Sequence, residues 1–214
     1  DVISTKDLKE IGDAVGIPFS GKSKGDAESD FDMMSSARGD FYLNQYHLSR
    51  SKRLSLDEMH RRLGDYNVHW TELRRLVLAY EDFKRVRNKI DFTDMITNFI
   101  KSGYGPDIEA LFVDEAQDLS TLQWSMVDIL RQSPRIQVFT GDDDQAIMCF
   151  QGADVGAFMR ATEKKTVLHQ SYRLPRVVWA EAQKIVSRIE DRAPKEWRPK
   201  DEEGTIHLHQ SPWD

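Results

Sequence analysis

Ala110-Leu111-Phe112-Val113-Asp114-Glu115-Ala116-Gln117-Asp118 sets four apolar residues directly before two adjacent carboxylates. A short, unbroken apolar run is what a strand buried in a parallel sheet presents. The C-terminal ends of such strands are where open α/β sheets bind their ligands. The run therefore predicts a buried strand with Asp114 and Glu115 at its ligand-facing end. One carboxylate there can hold Mg²⁺, directly or through water, while its neighbour orients or deprotonates a water molecule. An Asp-Glu pair on its own is common, so its weight comes from what surrounds it.

On the C-terminal side the pattern repeats. Ile136-Gln137-Val138-Phe139-Thr140 predicts a second buried strand, closed by Gly141-Asp142-Asp143-Asp144-Gln145. A helix is expected over 120–132, a third strand over Thr166–His169, a helix over 175–190 and a further strand over Thr205–His209. Strands alternating with helices indicate an α/β parallel sheet. Residues 192–203 read as a linker-like surface loop. Gly141 permits a tight turn, and Gln145 is a polar tip able to meet a γ-phosphate or an attacking water. In Met148-Cys149-Phe150-Gln151, Phe150 offers a face on which a base can stack, and Cys149 reads as a small buried hydrophobe. In Gln170-Ser171-Tyr172-Arg173, Tyr172 can stack on an adenine ring and Arg173 can reach a phosphate.

Upstream of residue 110 the reading is helical. Helices are expected over 5–15, from Leu56 to Asn88 with a break at Gly64-Asp65, and over 91–100, the last ended by Gly103-Tyr104-Gly105-Pro106. Residues 20–40 read as a Ser/Gly/Asp-rich loop. The 214 residues carry a net charge of −6, unevenly spread. Residues 46–89 hold 11 Lys/Arg against 6 Asp/Glu, and residues 91–160 hold 4 against 12. A basic module beside an acidic one suits phosphate contact in one place and metal in another. The single cysteine excludes an internal disulfide and fits a reducing, cytoplasmic setting. No apolar run approaches the roughly 20 residues that span a bilayer.

Taken in order, Asp114-Glu115-Ala116-Gln117-Asp118, Gly141 to Ile147, Phe150 to Asp154 and Gln170 to Arg173 resemble motifs II, III and IV of UvrD/Rep-like superfamily-one DNA helicases, and Asp91-Phe92-Thr93-Asp94-Met95 is similar to the short acidic helix before motif II. The resemblance is specific across residues 90–180. It implies part of a RecA-like P-loop NTPase sheet with a mostly helical insertion: 1–88 as insertion, 89–160 as the second half of the first motor domain, 164–214 as the start of the second. It implies ATP and Mg²⁺ as cofactors, with Asp114 as metal ligand, Glu115 as base and Gln145 as γ-phosphate sensor. Gln117, Tyr172 and Arg173 would bind nucleotide, Arg173 also acting in hydrolysis, while Met148, Phe150 and Gln151 would meet DNA. Met148 stands where the family usually has tyrosine, and Gln151 where it often has arginine. The implied activity couples Mg-ATP hydrolysis to movement along single-stranded DNA and unwinding of duplex DNA, with replication or repair proteins as further partners.

Gly16-Ile17-Pro18-Phe19-Ser20-Gly21-Lys22-Ser23 matches the phosphate-loop pattern letter for letter. That pattern functions between a buried strand and a helix N-terminus, whereas here helical sequence precedes it. It is expected to be a chance match, the true loop lying upstream of Asp1, so that the chain starts after the first two helicase motifs, stops soon after motif IV and is inactive alone. Two other functions compete. A helicase–nuclease fusion needs a carboxylate–lysine cluster that is not evident. A non-catalytic DNA-binding or regulatory module has no chemical need for Asp114, Glu115, Gln145 and Arg173 together.

Overall fold

The computed structural model describes residues 1–21, 37–63, 68–190 and 192–207. Helix α1 (Thr5–Val15) begins with a reciprocal cap in which the Ser4 hydroxyl accepts the Asp7 N–H and the Asp7 carboxylate accepts the Ser4 N–H, and it ends at Gly16 in the left-handed region, φ 67°. It is followed by α2 (Arg38–Ser51), α3 (Leu56–Leu63) and α4 (Trp70–Arg87). Ile11, Ile17, Tyr42, Leu73, Leu76 and Tyr80 meet in one apolar core. No local sequence pattern marks α2, and its first residues fall inside the expected 20–40 loop. Phe41, Tyr42, Leu43, Tyr46 and Leu48 do not form a clean helical stripe; packing against α4 makes this segment a helix.

Asp91 joins the helical part to the rest. It caps α5 (Phe92–Ser102), accepting the Asp94 N–H while Asp94 accepts the Asp91 N–H. The same two carboxylates hold Lys84 of α4 at 2.9 and 2.7 Å and Arg50 of α2 at 2.8 and 2.5 Å. The Tyr80 hydroxyl donates to Asp91 Oδ2 at 3.0 Å. The Lys84 and Asp91 side chains are only 5% and 8% exposed. Burial alone would raise the Asp91 carboxyl, but the hydrogen bond from Lys84 and the charge of Arg50 outweigh it and bring it to about 2. Arg50, Arg62, Lys84, Arg85, Arg87 and Lys89 of the basic stretch are each paired with a carboxylate. Of these, Arg50, Lys84 and Lys89 are enclosed, while the pairs of Arg62, Arg85 and Arg87 lie on the surface.

Strands β1 (Ala110–Val113) and β2 (Ile136–Phe139) pair in parallel, Ala110 opposite Ile136 and Val113 opposite Phe139. Helix α6 (Thr121–Leu130) crosses between them and packs Trp124 and Val127 on Leu111. The expectation of strands buried on both faces does not hold among the described residues: Leu111 points into the core, but Phe112 is 70% and Ile136 56% exposed. In β1 the two-residue period of a strand turns Phe112 away from the face that Leu111 buries, whereas β2 is exposed at Ile136, Gln137 and Val138 alike. After β2 come α7 (Val155–Arg160) and α8 (Arg176–Val186). Residues 166–169 form no strand; the nearest pairing is an isolated bridge between Gln170 and Arg198. Residues 205–207 form none either, and 208–209 lie outside the described residues. No helix among the described residues is long and apolar enough to cross a membrane.

Asp91→Asn leaves the buried cations Arg50 and Lys84 sharing Asp94, with Glu81 as the one further carboxylate on Lys84. It is expected to lower folding stability by about 3–5 kcal/mol, the range for breaking a buried pair from one side. Because the folded-state value of Asp91, about 2, lies below its ordinary 3.8, its contribution is present above about pH 4 and is lost as the pH falls towards 2. Denaturant midpoints measured across that window should show a shallower acid loss in the Asn variant than in the parent.

Candidate active site

Parallel pairing sets the ends of the two strands side by side. The Thr140 N–H donates to the Val113 carbonyl at 2.8 Å, and the Ala116 N–H donates to the Thr140 carbonyl at 2.9 Å. This brings the Thr140 hydroxyl onto Asp114 Oδ1, where it donates alongside the Glu115 N–H at 3.0 Å. The Thr140 hydroxyl, then the Glu115 amide, hold the Asp114 carboxyl below the usual carboxylate range. Asp114 Oδ2 receives no hydrogen bond from a described residue. An exposed, ionised carboxylate with one oxygen oriented and the other open fits a Mg²⁺ ion that keeps most of its waters and takes one or two protein carboxylates. Among the described residues no group of three or more His, Cys, Asp or Glu could hold a metal ion.

Glu115 has φ 48° and ψ 40°. A non-glycine residue in the left-handed region is uncommon and costs about 1 kcal/mol. The turn aims the Glu115 carboxylate back along the loop, where its Oε2 accepts the Gln117 side-chain N–H at 2.8 Å. Gln117 is 2% exposed. Its Nε2 also donates to Asp118 at 3.3 Å, and its Oε1 accepts the backbone N–H of Asp142 at 3.1 Å. Both ends of its amide are thus engaged inside the protein, tying the loop after β1 to the loop after β2. Gly141 makes room for this contact: a Cβ there would overlap Gln117 Oε1 and lie 3.0 Å from Phe158 Cζ.

Beyond Gly141, Asp142 Oδ2 accepts the Gln145 side-chain N–H at 2.7 Å, which fixes that amide at the mouth of the loop. Asp142 Oδ1 accepts from Lys195 at 2.6 Å, Asp144 pairs with Arg192 at 2.5 Å, and Asp143 pairs with Lys195 and accepts the Ala193 N–H at 2.6 Å. Burial would raise the Asp142 carboxyl, but the hydrogen bonds from Lys195 and Gln145 bring it below the ordinary value.

A family model described as the UvrD/REP helicase N-terminal domain matches residues 26–166. The chain belongs to the UvrD/Rep helicase family. It is 26% identical over 141 residues to a protein of Mycoplasma genitalium named probable DNA helicase II homolog, covering 58% of this chain and 20% of that protein. It is 24% identical over 143 residues to the ATP-dependent DNA helicase PcrA of Leuconostoc citreum, covering 60% and 19%. A probable DNA helicase II homolog of Rickettsia conorii is 27% identical over 150 residues, covering 62% and 23%. The chain thus spans about one fifth of the length of these relatives.

The short helix Ile147–Gln151 packs on the turn Ala116–Asp118 that follows the acid pair, and none of the remaining residues singled out in this UvrD/Rep chain shares a hydrogen bond with Asp114 or Glu115 among the described residues. Met148, Phe150 and Gln151 sit on the short 3₁₀ helix Ile147–Gln151. Phe150 is 49% exposed and belongs to neither apolar core. Cys149, expected to be buried, is exposed, because a single 3₁₀ turn has no inner face wide enough to cover every residue. Tyr172 is 87% exposed. The Arg173 and Leu174 N–H groups donate to the Ser171 hydroxyl at 3.3 and 3.1 Å, and the Arg173 side chain makes no ion pair with a described residue. Gly16 caps the C-terminal end of α1, so the phosphate-loop match follows a helix end rather than a strand; Lys22 and Ser23 lie outside the described residues. Three participants escaped the sequence reading. Thr140 was taken only as a strand end, and Arg192 and Lys195 were assigned to a surface loop. The signal available for the last two was charge: three successive acids require nearby cations to be buried.

Gly141→Ala should force Gln117 out of its pocket and lower stability by about 1–3 kcal/mol, the usual range for overpacking. Gln117→Ala made with it should remove most of that added loss. Thermal melts of the two single variants and the double give the coupling, expected at about 1 kcal/mol or more; simple additivity would contradict the contact.

Proposed function

We propose that this chain contributes part of the ATP-hydrolysing and strand-gripping machinery of a DNA helicase, on a RecA-like P-loop NTPase scaffold. The observation that carries this reading is the joint placement of Asp114 and Glu115 at the end of β1 and of Gln145 on the adjoining loop after β2, linked through Gln117 and Asp142. Membership of the UvrD/Rep family and the helicase names of the relatives support it. Asp114 would hold the Mg²⁺, with Thr140 fixing its inner oxygen. Bound Mg-ATP supplies a γ-phosphoryl group whose charge the metal helps to neutralise. Glu115, oriented by Gln117, positions the attacking water and takes up its proton. Gln145 offers an exposed side-chain amide at the γ-phosphate position. Phe150 stacks on single-stranded bases beside Met148 and Gln151. Tyr172 and Arg173 serve nucleotide from the second motor module, residues 164–214, while residues 1–88 form the helical insertion that meets duplex DNA. Gly16–Ser23 is not a phosphate loop in this reading, and the 214-residue chain by itself does not turn over ATP.

In the whole protein that carries this chain, ATP hydrolysis should require Mg²⁺ and rise with single-stranded DNA. Glu115→Gln should lower turnover by roughly 10² or more while nucleotide binding stays nearly intact; near-normal turnover would defeat the assignment. Phe150→Ala should weaken single-stranded DNA binding by about 1–3 kcal/mol and leave the melting temperature nearly unchanged, since half the ring is exposed. A large loss of stability without loss of DNA affinity would place Phe150 among the packing residues instead.

A further inference from the structure

We infer that Arg192 and Lys195 are positioning residues for Gln145: they form a cationic clamp that holds the Asp142-Asp143-Asp144 run and, through Asp142, sets the Gln145 side-chain amide. The inference rests on the proposed role of Gln145. The observations behind it concern charge and connectivity. Asp143 and Asp144 side chains are only 6% and 8% exposed. Three consecutive carboxylates repel one another, and burying two of them without counter-charge is strongly unfavourable. No cation from residues 110–161 pairs with them. All the cations that pair with them come from the segment after α8: Arg192 makes a two-pronged contact with Asp144 at 2.8 and 2.5 Å, and Lys195 reaches Asp142 at 2.6 Å, Asp144 at 3.2 Å and Asp143; from the same segment the Ala193 N–H donates to Asp143. The Lys195 side chain is 11% exposed, so little water competes for its ammonium.

The division of labour on Asp142 makes this a positioning device rather than a patch of ion pairs. One carboxylate oxygen, Oδ1, takes Lys195 at 2.6 Å and the Asp144 N–H at 3.2 Å; the other, Oδ2, takes the side chain of Gln145. The Asp142 N–H is held by Gln117, whose other end holds Glu115. Lys195 therefore restrains the torsion of the carboxylate that orients Gln145, at the far end of a continuous chain of hydrogen bonds from Glu115. Withdrawal of residues 192–195 from the loop would leave Asp142 Oδ1 with the 3.2 Å bond from the Asp144 N–H alone, and would thereby loosen the hold on the Gln145 amide. The position of the segment that follows α8 is thereby coupled to the geometry of the sensor loop.

The test uses Lys195→Met, which keeps the stem and removes the charge, Lys195→Arg as the conservative variant, and Asp142→Asn. The first readout is backbone amide hydrogen exchange across residues 142–146, measured without nucleotide. Lys195→Met should speed exchange there by about tenfold or more while amides of α6 and β1 keep their protection, and Lys195→Arg should restore most of the slow exchange. The second readout is steady-state ATP hydrolysis by the whole protein. Lys195→Met and Asp142→Asn should each lower kcat several-fold with KM nearly unchanged, because the clamp orients Gln145 rather than binding nucleotide. Unchanged exchange over 142–146 in folded Lys195→Met overturns the clamp. Faster exchange with kcat unchanged overturns its link to Gln145. If the parent hydrolyses no ATP, the helicase reading falls, while the exchange result still decides whether Lys195 sets the loop. Should Lys195→Met fail to fold, Lys195→Arg and Asp142→Asn carry the same comparison, and normal exchange in Asp142→Asn contradicts the proposal.

Discussion

The side-chain amide of Gln117 is closed off from solvent between the loops that follow β1 and β2, and hydrogen bonds engage both of its ends. A primary amide is well suited to this position. It donates to the carboxylate of Glu115 and accepts from the main chain of Asp142, two jobs that a carboxylate or an ammonium cannot combine. The acid pair and the loop after β2 are consequently one unit. The left-handed backbone at Glu115, the missing side chain at Gly141 and the hydrogen bond from Thr140 to Asp114 all serve to bring these loops to the distance at which one amide spans them. Unfavourable local conformation at Glu115 is the kind of strain that persists where the surrounding structure fixes it, and such sites are often functional.

Two charge clusters frame that unit. Behind it, Asp91 and Asp94 gather Arg50 and Lys84 and so fasten α2 and α4 to α5. Ahead of it, Arg192 and Lys195 neutralise Asp142, Asp143 and Asp144. Both clusters join segments far apart in sequence, and both bury charge that would be expensive if left single. The overall charge of −6 conceals this arrangement. Three basic residues that look available for phosphate in the sequence, Arg50, Lys84 and Lys89, are occupied by carboxylates, and acidic residues that look solvated are partly enclosed.

The sequence showed the elements whose signals are local. Helix α1 is bounded by Ser4 and Gly16, α5 by Asp91 and Gly103, and β1 and β2 by apolar runs that end in polar turns. It did not show α2, whose helical state depends on Tyr42 and Leu43 meeting α4, nor α7, which is too short to carry a period. It predicted a strand at 166–169 that exists only as a single bridge at Gln170, because strand identity depends on a neighbour as much as on composition. At the candidate site, Asp114, Glu115, Gln145 and the turn at Gly141 were legible as residue types at strand ends. Gln117 was legible as a motif residue, but its placement between two loops was not. Arg192 and Lys195 were invisible, since pairing across about fifty residues leaves no local pattern.

The account stands or falls on where a nucleotide lies relative to the ends of β1 and β2. A crystal structure of the whole protein with Mg²⁺ and a non-hydrolysable ATP analogue measures that directly. The account predicts the metal within coordination reach of Asp114, directly or through one water, with the Gln145 amide directed at the terminal phosphate and Gln117 still spanning the two loops. A nucleotide bound at Gly16–Ser23, or anywhere distant from Asp114 and Glu115, would contradict it.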